Sequence, residues 1–113
     1  MDCLFCKIIK RKASARIVYE DEHLLAFEDI NPQAPVHILI IPKKHIATAL
    51  DIEVADHALV GQMFQTANRI AGKEGFAEDG FRLVMNCNSQ AGQSVFHIPL
   101  HLLAGRSLRW PPG

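Results

Sequence analysis

Two groups of histidine, cysteine and small polar residues in this chain are of the types that hold anions or metal ions. The first lies between Asn86 and Arg106, NCNSQAGQSVFHIPLHLLAGR, where His97, Pro99 and His101 sit at i, i+2 and i+4. Read as a strand over 95–103, the segment sends all three side chains from one face, about 6.6 Å between successive members. The other face then carries Phe96, Ile98, Leu100 and Leu102. Ahead of it, Gly92 lets a backbone N–H approach a phosphate oxygen closely, and Gln93 and Ser94 add side-chain donors. Asn86, His37 and Asp29 join this set, Asp29 being an acceptor suited to ribose hydroxyls at a strand end. Taken singly, Asn86 and Asp29 read as turn formers, Ser94 as a loop hydroxyl and His37 as a hydrogen-bonded core histidine. Their joint occurrence in one short chain points to an anion or phosphate site.

The second group is Cys3, Cys6, His45 and His97, the donor set of a closed tetrahedral zinc site. The interval from Cys6 to His45 is too long for a zinc finger, so these ligands must converge through the fold. Taken alone, C-x-x-C reads rather as two half-buried thiols acting as small hydrophobes. A thioredoxin-like redox role is disfavoured, because no strand precedes the motif to open a βαβ unit. Cys87 makes the cysteine count three, and an odd count without an export signal argues against a disulfide framework.

The elements that position these groups follow from periodicity. Residues 3–10 space Leu4, Phe5, Ile8 and Ile9 as a short helix. Residues 17–20 and 24–27 form a hairpin around Asp21-Glu22, and the Asn31-Pro32-Gln33-Ala34-Pro35 loop leads into VHILII, 36–41, a central strand buried on both faces. From Glu53 to Glu74 the apolar positions Leu59, Val60, Met63, Phe64, Ala67, Ile70 and Ala71 mark a long amphipathic helix, with Gly72 and Gly75 at its end. Residues 81–86 form a further strand running into the His97–His101 segment. The expected fold is α+β, a five-stranded antiparallel sheet with one long and one short helix. The 113 residues make one domain, with 104–113 as a C-terminal tail ending in Trp-Pro-Pro-Gly. An exposed sheet edge, and a tail with nothing of its own to cover, suggest a dimer.

Composition narrows the function classes. Twelve basic and twelve acidic residues give a formal net charge of zero, which leaves no electrostatic footprint for a nucleic acid or an anionic membrane. The apolar run 36–42 is interrupted by His37 and too short to span a bilayer, and residues 1–12 lack the apolar core of a signal peptide. The expectation is a soluble cytoplasmic protein.

FEDINPQAPVHILIIPKKH, NCNSQAGQSVFHIPLHLLAGR and the terminal WPPG together resemble the histidine triad (HIT) nucleotide-binding family in its Hint-like branch, nearly end to end. That resemblance implies a homodimer whose two sheets join into one, each subunit binding a purine nucleoside monophosphate. It implies hydrolysis of a nucleoside phosphoramidate through a covalent nucleotidyl-histidine. By position, Asp29 resembles the ribose acceptor with Ile30 beside the base, and His37 the supporting fourth histidine. Asn86, Gly92, Gln93 and Ser94 resemble the phosphate and ribose contacts, and Trp110 the tail residue that reaches the partner's site. His97, Pro99 and His101 occupy the triad, and Cys3, Cys6, His45 and His97 resemble the structural zinc ligands of zinc-containing relatives. The departure is Pro99, which stands at the family's nucleophile position and has no nucleophilic side chain.

Overall fold

The structure is a computed structural model describing residues 3–113. Its elements run α1 (Leu4–Ile9), β1 (Ile17–Glu20), β2 (Leu24–Glu28), β3 (Val36–Pro42), α2 (His57–Glu74), β4 (Arg82–Val84) and β5 (Leu100–Ala104). The strands form one antiparallel sheet in the order β1-β2-β3-β5-β4, which places the VHILII strand at its centre as expected.

Side-chain alternation along β2 and β3 sorts the core into two layers. Leu24, Ala26, Ile38 and Ile40 join Leu100 and Leu102 on the face covered by Met63, Ala67, Ile70 and Ala71 of α2. Leu25, Phe27, Leu39 and Ile41 point the other way, onto Phe5 and Ile8 of α1. At roughly 25 cal/mol per Å² of apolar area, these two layers supply most of the driving force for folding. The short helix α1 is too brief to stand alone and depends on this contact.

Three expected boundaries differ from the observed ones. The long helix starts at His57, because residues 49–51 and 54–56 form two separate 3-10 turns. Asp51 accepts from Thr48 N–H at 3.0 Å and Asp56 from Glu53 N–H at 3.0 Å, so each carboxylate caps a turn of its own. Asp56, 2% exposed, also pairs with Lys44 at 2.6 Å. The strand expected over 81–86 is confined to Arg82–Val84.

The third difference bears on the site. Residues 95–99 are not strand, and β5 begins at Leu100, directly after Pro99. Its ladder with β3 starts at Ile40↔Leu100, beyond which Pro99 has no N–H to give. The preceding segment is held instead by the connection after β3: Ile98 N–H donates to Ile46 O at 2.8 Å and Gln93 Nε2 to Ala47 O at 2.8 Å. His97, Pro99 and His101 therefore do not share one strand face. Because β5 includes Ala104, the tail begins at Gly105. Among the described residues, no helix is long and apolar enough to cross a membrane.

Candidate functional site

The register of β3 against β5 pairs His37 with Leu103 and Leu39 with His101. His37 and His101 are thus diagonal neighbours on the α1 face, a spacing that aromatic side chains bridge. Their rings meet, His37 Nε2 lying 2.9 Å from His101 Nδ1 and 3.4 Å from Asp29 Oδ2. The backbone N–H of Gln33 donates to His37 Nδ1 at 3.0 Å, and Arg106 Nη2 holds that loop through Gln33 O at 2.9 Å.

These contacts fix the proton positions. His37 Nδ1 accepts, so the hydrogen of the neutral ring sits on Nε2 and is given to His101 Nδ1 or shared with Asp29. His101 then carries its own hydrogen on Nε2. Burial holds His37 below its ordinary pKa, with Asp29 opposing. Burial and then His37 hold His101 below its own, Asp29 again opposing. Burial thus favours the neutral form of both rings.

The pair forms one wall of a cavity of about 870 Å³, within the usual range of roughly 300–1,000 Å³ for small-molecule sites. Leu4, Phe5, Ile8, Phe27 and Leu39 line its apolar part; Asp29, Asn86, Gly92, Ser94 and His101 bring the polar groups. Ile30 lies at the rim, and Pro99, buried, contributes a saturated ring to the wall. Every expected ligand-site residue lines this cavity except Trp110, which is 83% exposed and lies off it. Gln93 corrects a sequence expectation: its side chain is not a free donor. Its Oε1 accepts from Asn88 N–H at 2.8 Å, and its Nε2 donates to Ala47 O and Val95 O. It shapes the Gly92 loop. The loop is under strain at Asn88, whose φ 67 and ψ −176 suit glycine better than asparagine.

On the far side of α1, Cys3, Cys6, His45 and His97 bring their ligand atoms within 4.8 Å of one another, on three separate segments as the sequence required. Sulfur-to-nitrogen separations are 3.4 Å for Cys3–His97, 3.4 Å for Cys6–His45 and 3.5 Å for Cys6–His97, and the two Nδ1 atoms are 3.2 Å apart. A regular tetrahedron with metal–sulfur bonds near 2.3 Å and metal–nitrogen bonds near 2.05 Å has such edges at about 3.6 and 3.3 Å. His97 Nε2–H donates to Pro42 O at 2.6 Å, which turns the Nδ1 lone pair into the cluster. Burial lowers the His97 pKa and raises that of the Cys6 thiol. A cation there would be held by the neutral imidazoles and by the cysteines as thiolates, their protons released to solvent.

Asp29, His37 and His101 also bring three potential metal ligands together. They fail the same test. His37 already accepts a backbone N–H at Nδ1, so a metal at Nε2 would leave it with no ring proton at all, as an imidazolate. The two clusters divide by the partner of one ring nitrogen: a carbonyl acceptor at His97, an N–H donor at His37.

Sequence reasoning named the side chains that the cavity and the cysteine–histidine cluster bring together but missed the groups that orient the histidines, Gln33 N–H and Pro42 O, since backbone atoms carry no residue signature. It also missed the cavity's apolar wall, although the i, i+1 and i+4 placement of Leu4, Phe5 and Ile8 was available as a signal.

The HIT domain family matches residues 10–108. The chain is 50% identical over 107 residues to the purine nucleoside phosphoramidase of Escherichia coli K12, covering 95% of this chain and 90% of that protein. It superposes on a HIT family hydrolase from Legionella pneumophila with a TM-score of 0.97, at 54% identity over 99% of this chain and 100% of the other. A zinc-bound histidine triad family protein from Mycobacterium smegmatis matches with a TM-score of 0.80 at 37% identity, over 94% and 76% of the two chains.

Proposed function

The chain belongs to the HIT family, and from that membership and its cavity we propose that it binds a purine nucleoside monophosphate or the corresponding phosphoramidate. One observation carries this reading: the Asp29, Asn86, Gly92, Ser94 and His101 groups line a single cavity whose other part is apolar. In the proposed complex the base lies among Phe5, Ile8, Phe27 and Leu39 with Ile30 at its edge. Asp29 accepts from the ribose hydroxyls. Asn86, the Gly92 backbone, Ser94 and His101 Nε2–H receive the phosphate, and Ser94 lies nearest the leaving group. His37 holds His101 in its tautomer.

The chemical step is where this chain departs from a nucleotidyl-histidine hydrolase. Pro99 occupies the nucleophile position and cannot attack phosphorus, and loss of a covalent nucleophile removes several orders of magnitude in turnover. Two readings follow: a phosphoramidate hydrolase with impaired turnover, or a catalytically inactive nucleotide-binding module, which Pro99 favours. Hydrolysis of adenosine 5′-phosphoramidate by the chain and by Pro99→His separates them. The first reading predicts measurable turnover that the variant raises at least about 10³-fold; the second predicts turnover in the variant alone. Activity equal in both would remove position 99 from the mechanism.

We further propose that Cys3, Cys6, His45 and His97 hold a structural zinc ion, which joins α1 to the loops after β3 and before β5. Its donor set and tetrahedral edges support this, as does the zinc-bound relative. A homodimer is proposed through an exposed edge of the sheet, and Trp110, 83% exposed, would then reach the partner's cavity.

A further inference from the structure

The cavity wall offers no activated nucleophile. Pro99 presents a saturated ring, and Ser14 and Ser94 are joined by hydrogen bonds to no histidine or carboxylate among the described residues, so no base draws off a serine proton. What the wall offers beside Pro99 is a proton donor. The backbone N–H of Gln33 fixes His37, and His37 Nε2–H, 2.9 Å from His101 Nδ1, leaves the hydrogen of His101 on Nε2. In the neutral ring this Nε2–H is a hydrogen-bond donor toward the cavity; once Nδ1 is protonated as well, the same Nε2–H is an acid that can serve a leaving group.

We infer, on the nucleotide-cavity reading above and the first, active one of its two branches, that this chain cleaves phosphoramidates in one displacement by water, His101 giving the leaving amine its proton, with no nucleotidyl-protein intermediate. The P–N bond breaks with its electron pair going to nitrogen, which takes the proton from His101 Nε2. A water oxygen forms the new P–O bond and releases one proton, which restores His101. The products are the free amine and the nucleoside monophosphate. An amine cannot leave as its anion, so its protonation is the assistance the wall must supply, while the attacking water gives up its proton only as the P–O bond forms. Nitrogen takes a proton more readily than an ester oxygen, so the site selects P–N over P–O bonds.

The acid is the imidazolium form of His101, in which Nδ1 also carries hydrogen. Asp29 Oδ2, 3.4 Å from His37 Nε2, is then the acceptor left to that N–H. The titratable groups facing His101 are His37 on β3 and Asp29 after β2; β4 sets Val84 opposite it. Burial and His37 disfavour the cation, while Asp29 and the substrate's own negative charge favour it. Turnover accordingly falls as pH rises through the pKa of His101.

The test is stereochemical. Adenosine 5′-phosphoramidothioate of a single configuration at phosphorus is hydrolysed in H₂¹⁸O, beside calorimetric titration of the same preparation with AMP. Inversion at phosphorus is expected for this chain, and retention for Pro99→His, which regains a two-step route. His101→Gln should lose at least about 10²-fold and flatten the pH profile. Retention by the unaltered chain, or undiminished turnover in His101→Gln, overturns the inference. AMP binding without turnover above the solution rate overturns it while leaving the nucleotide reading intact; no AMP binding overturns both.

Discussion

Removing the zinc ion proposed for the Cys3–Cys6–His45–His97 cluster should lower the melting temperature by about 10 °C. The cluster fastens α1, a six-residue helix otherwise held mainly by Phe5 and Ile8, to segments 39 to 94 residues away in sequence. A ligand present at 100 times its dissociation constant stabilises the folded state by about 2.7 kcal/mol. An unfolding entropy of about 2.1 cal/mol/K per residue over 113 residues is near 0.24 kcal/mol/K, so that energy corresponds to about 11 °C. Calorimetric melts of protein purified without chelator, before and after dialysis against a strong chelator, measure the shift; metal analysis of the same samples measures stoichiometry. Leu4, Phe5 and Ile8 also wall the cavity, so the stripped protein should bind AMP more weakly. A melting temperature unchanged within about 1 °C, with no metal found in the starting material and Cys3→Ser behaving like the parent, would refute the metal assignment.

His37 and His101 have folded-state pKa values below the ordinary value of 6.5, so the unfolded chain binds more protons than the folded one at mildly acid pH. Their contribution is fully present above pH 6.5 and is lost as pH falls below it, by up to about 1.4 kcal/mol per pH unit for each group; urea titrations that show stability rising toward pH 5 contradict this. Asn88→Gly should raise stability by about 1 kcal/mol, because relief of strain of about 1–3 kcal/mol exceeds the added chain entropy, and a lower urea midpoint would count against it. Gly105→Ala should cost more than about 1 kcal/mol, since φ is 93 and the new Cβ would lie 2.8 Å from Pro35 Cβ; an unchanged midpoint would show that the turn gives way freely.

The β3 strand and the α2 face were legible because burial imposes a strict period on VHILII and on Met63, Ala67, Ile70 and Ala71. The start of α2 was not, because Thr48 with Asp51 and Glu53 with Asp56 build caps that compete with helix over residues 49–56. The site residues could be named from type and spacing, and the cavity gathers them. The assumption that failed was a continuous strand through 95–103. Pro99 ends the ladder, so His97 turns to the thiols while His101 turns to the cavity. That separation of two histidines four residues apart is set by backbone partners, Pro42 O and Gln33 N–H, which no residue pattern encodes.

Titration of the protein with AMP while following the histidine ring resonances by NMR tests the central claim most directly. Saturable binding that shifts the signals of His37 and His101, leaving those of His45 and His97 in place, is the predicted result. Absence of binding, or shifts confined to His45 and His97, would contradict a nucleotide site at the His37–His101 wall.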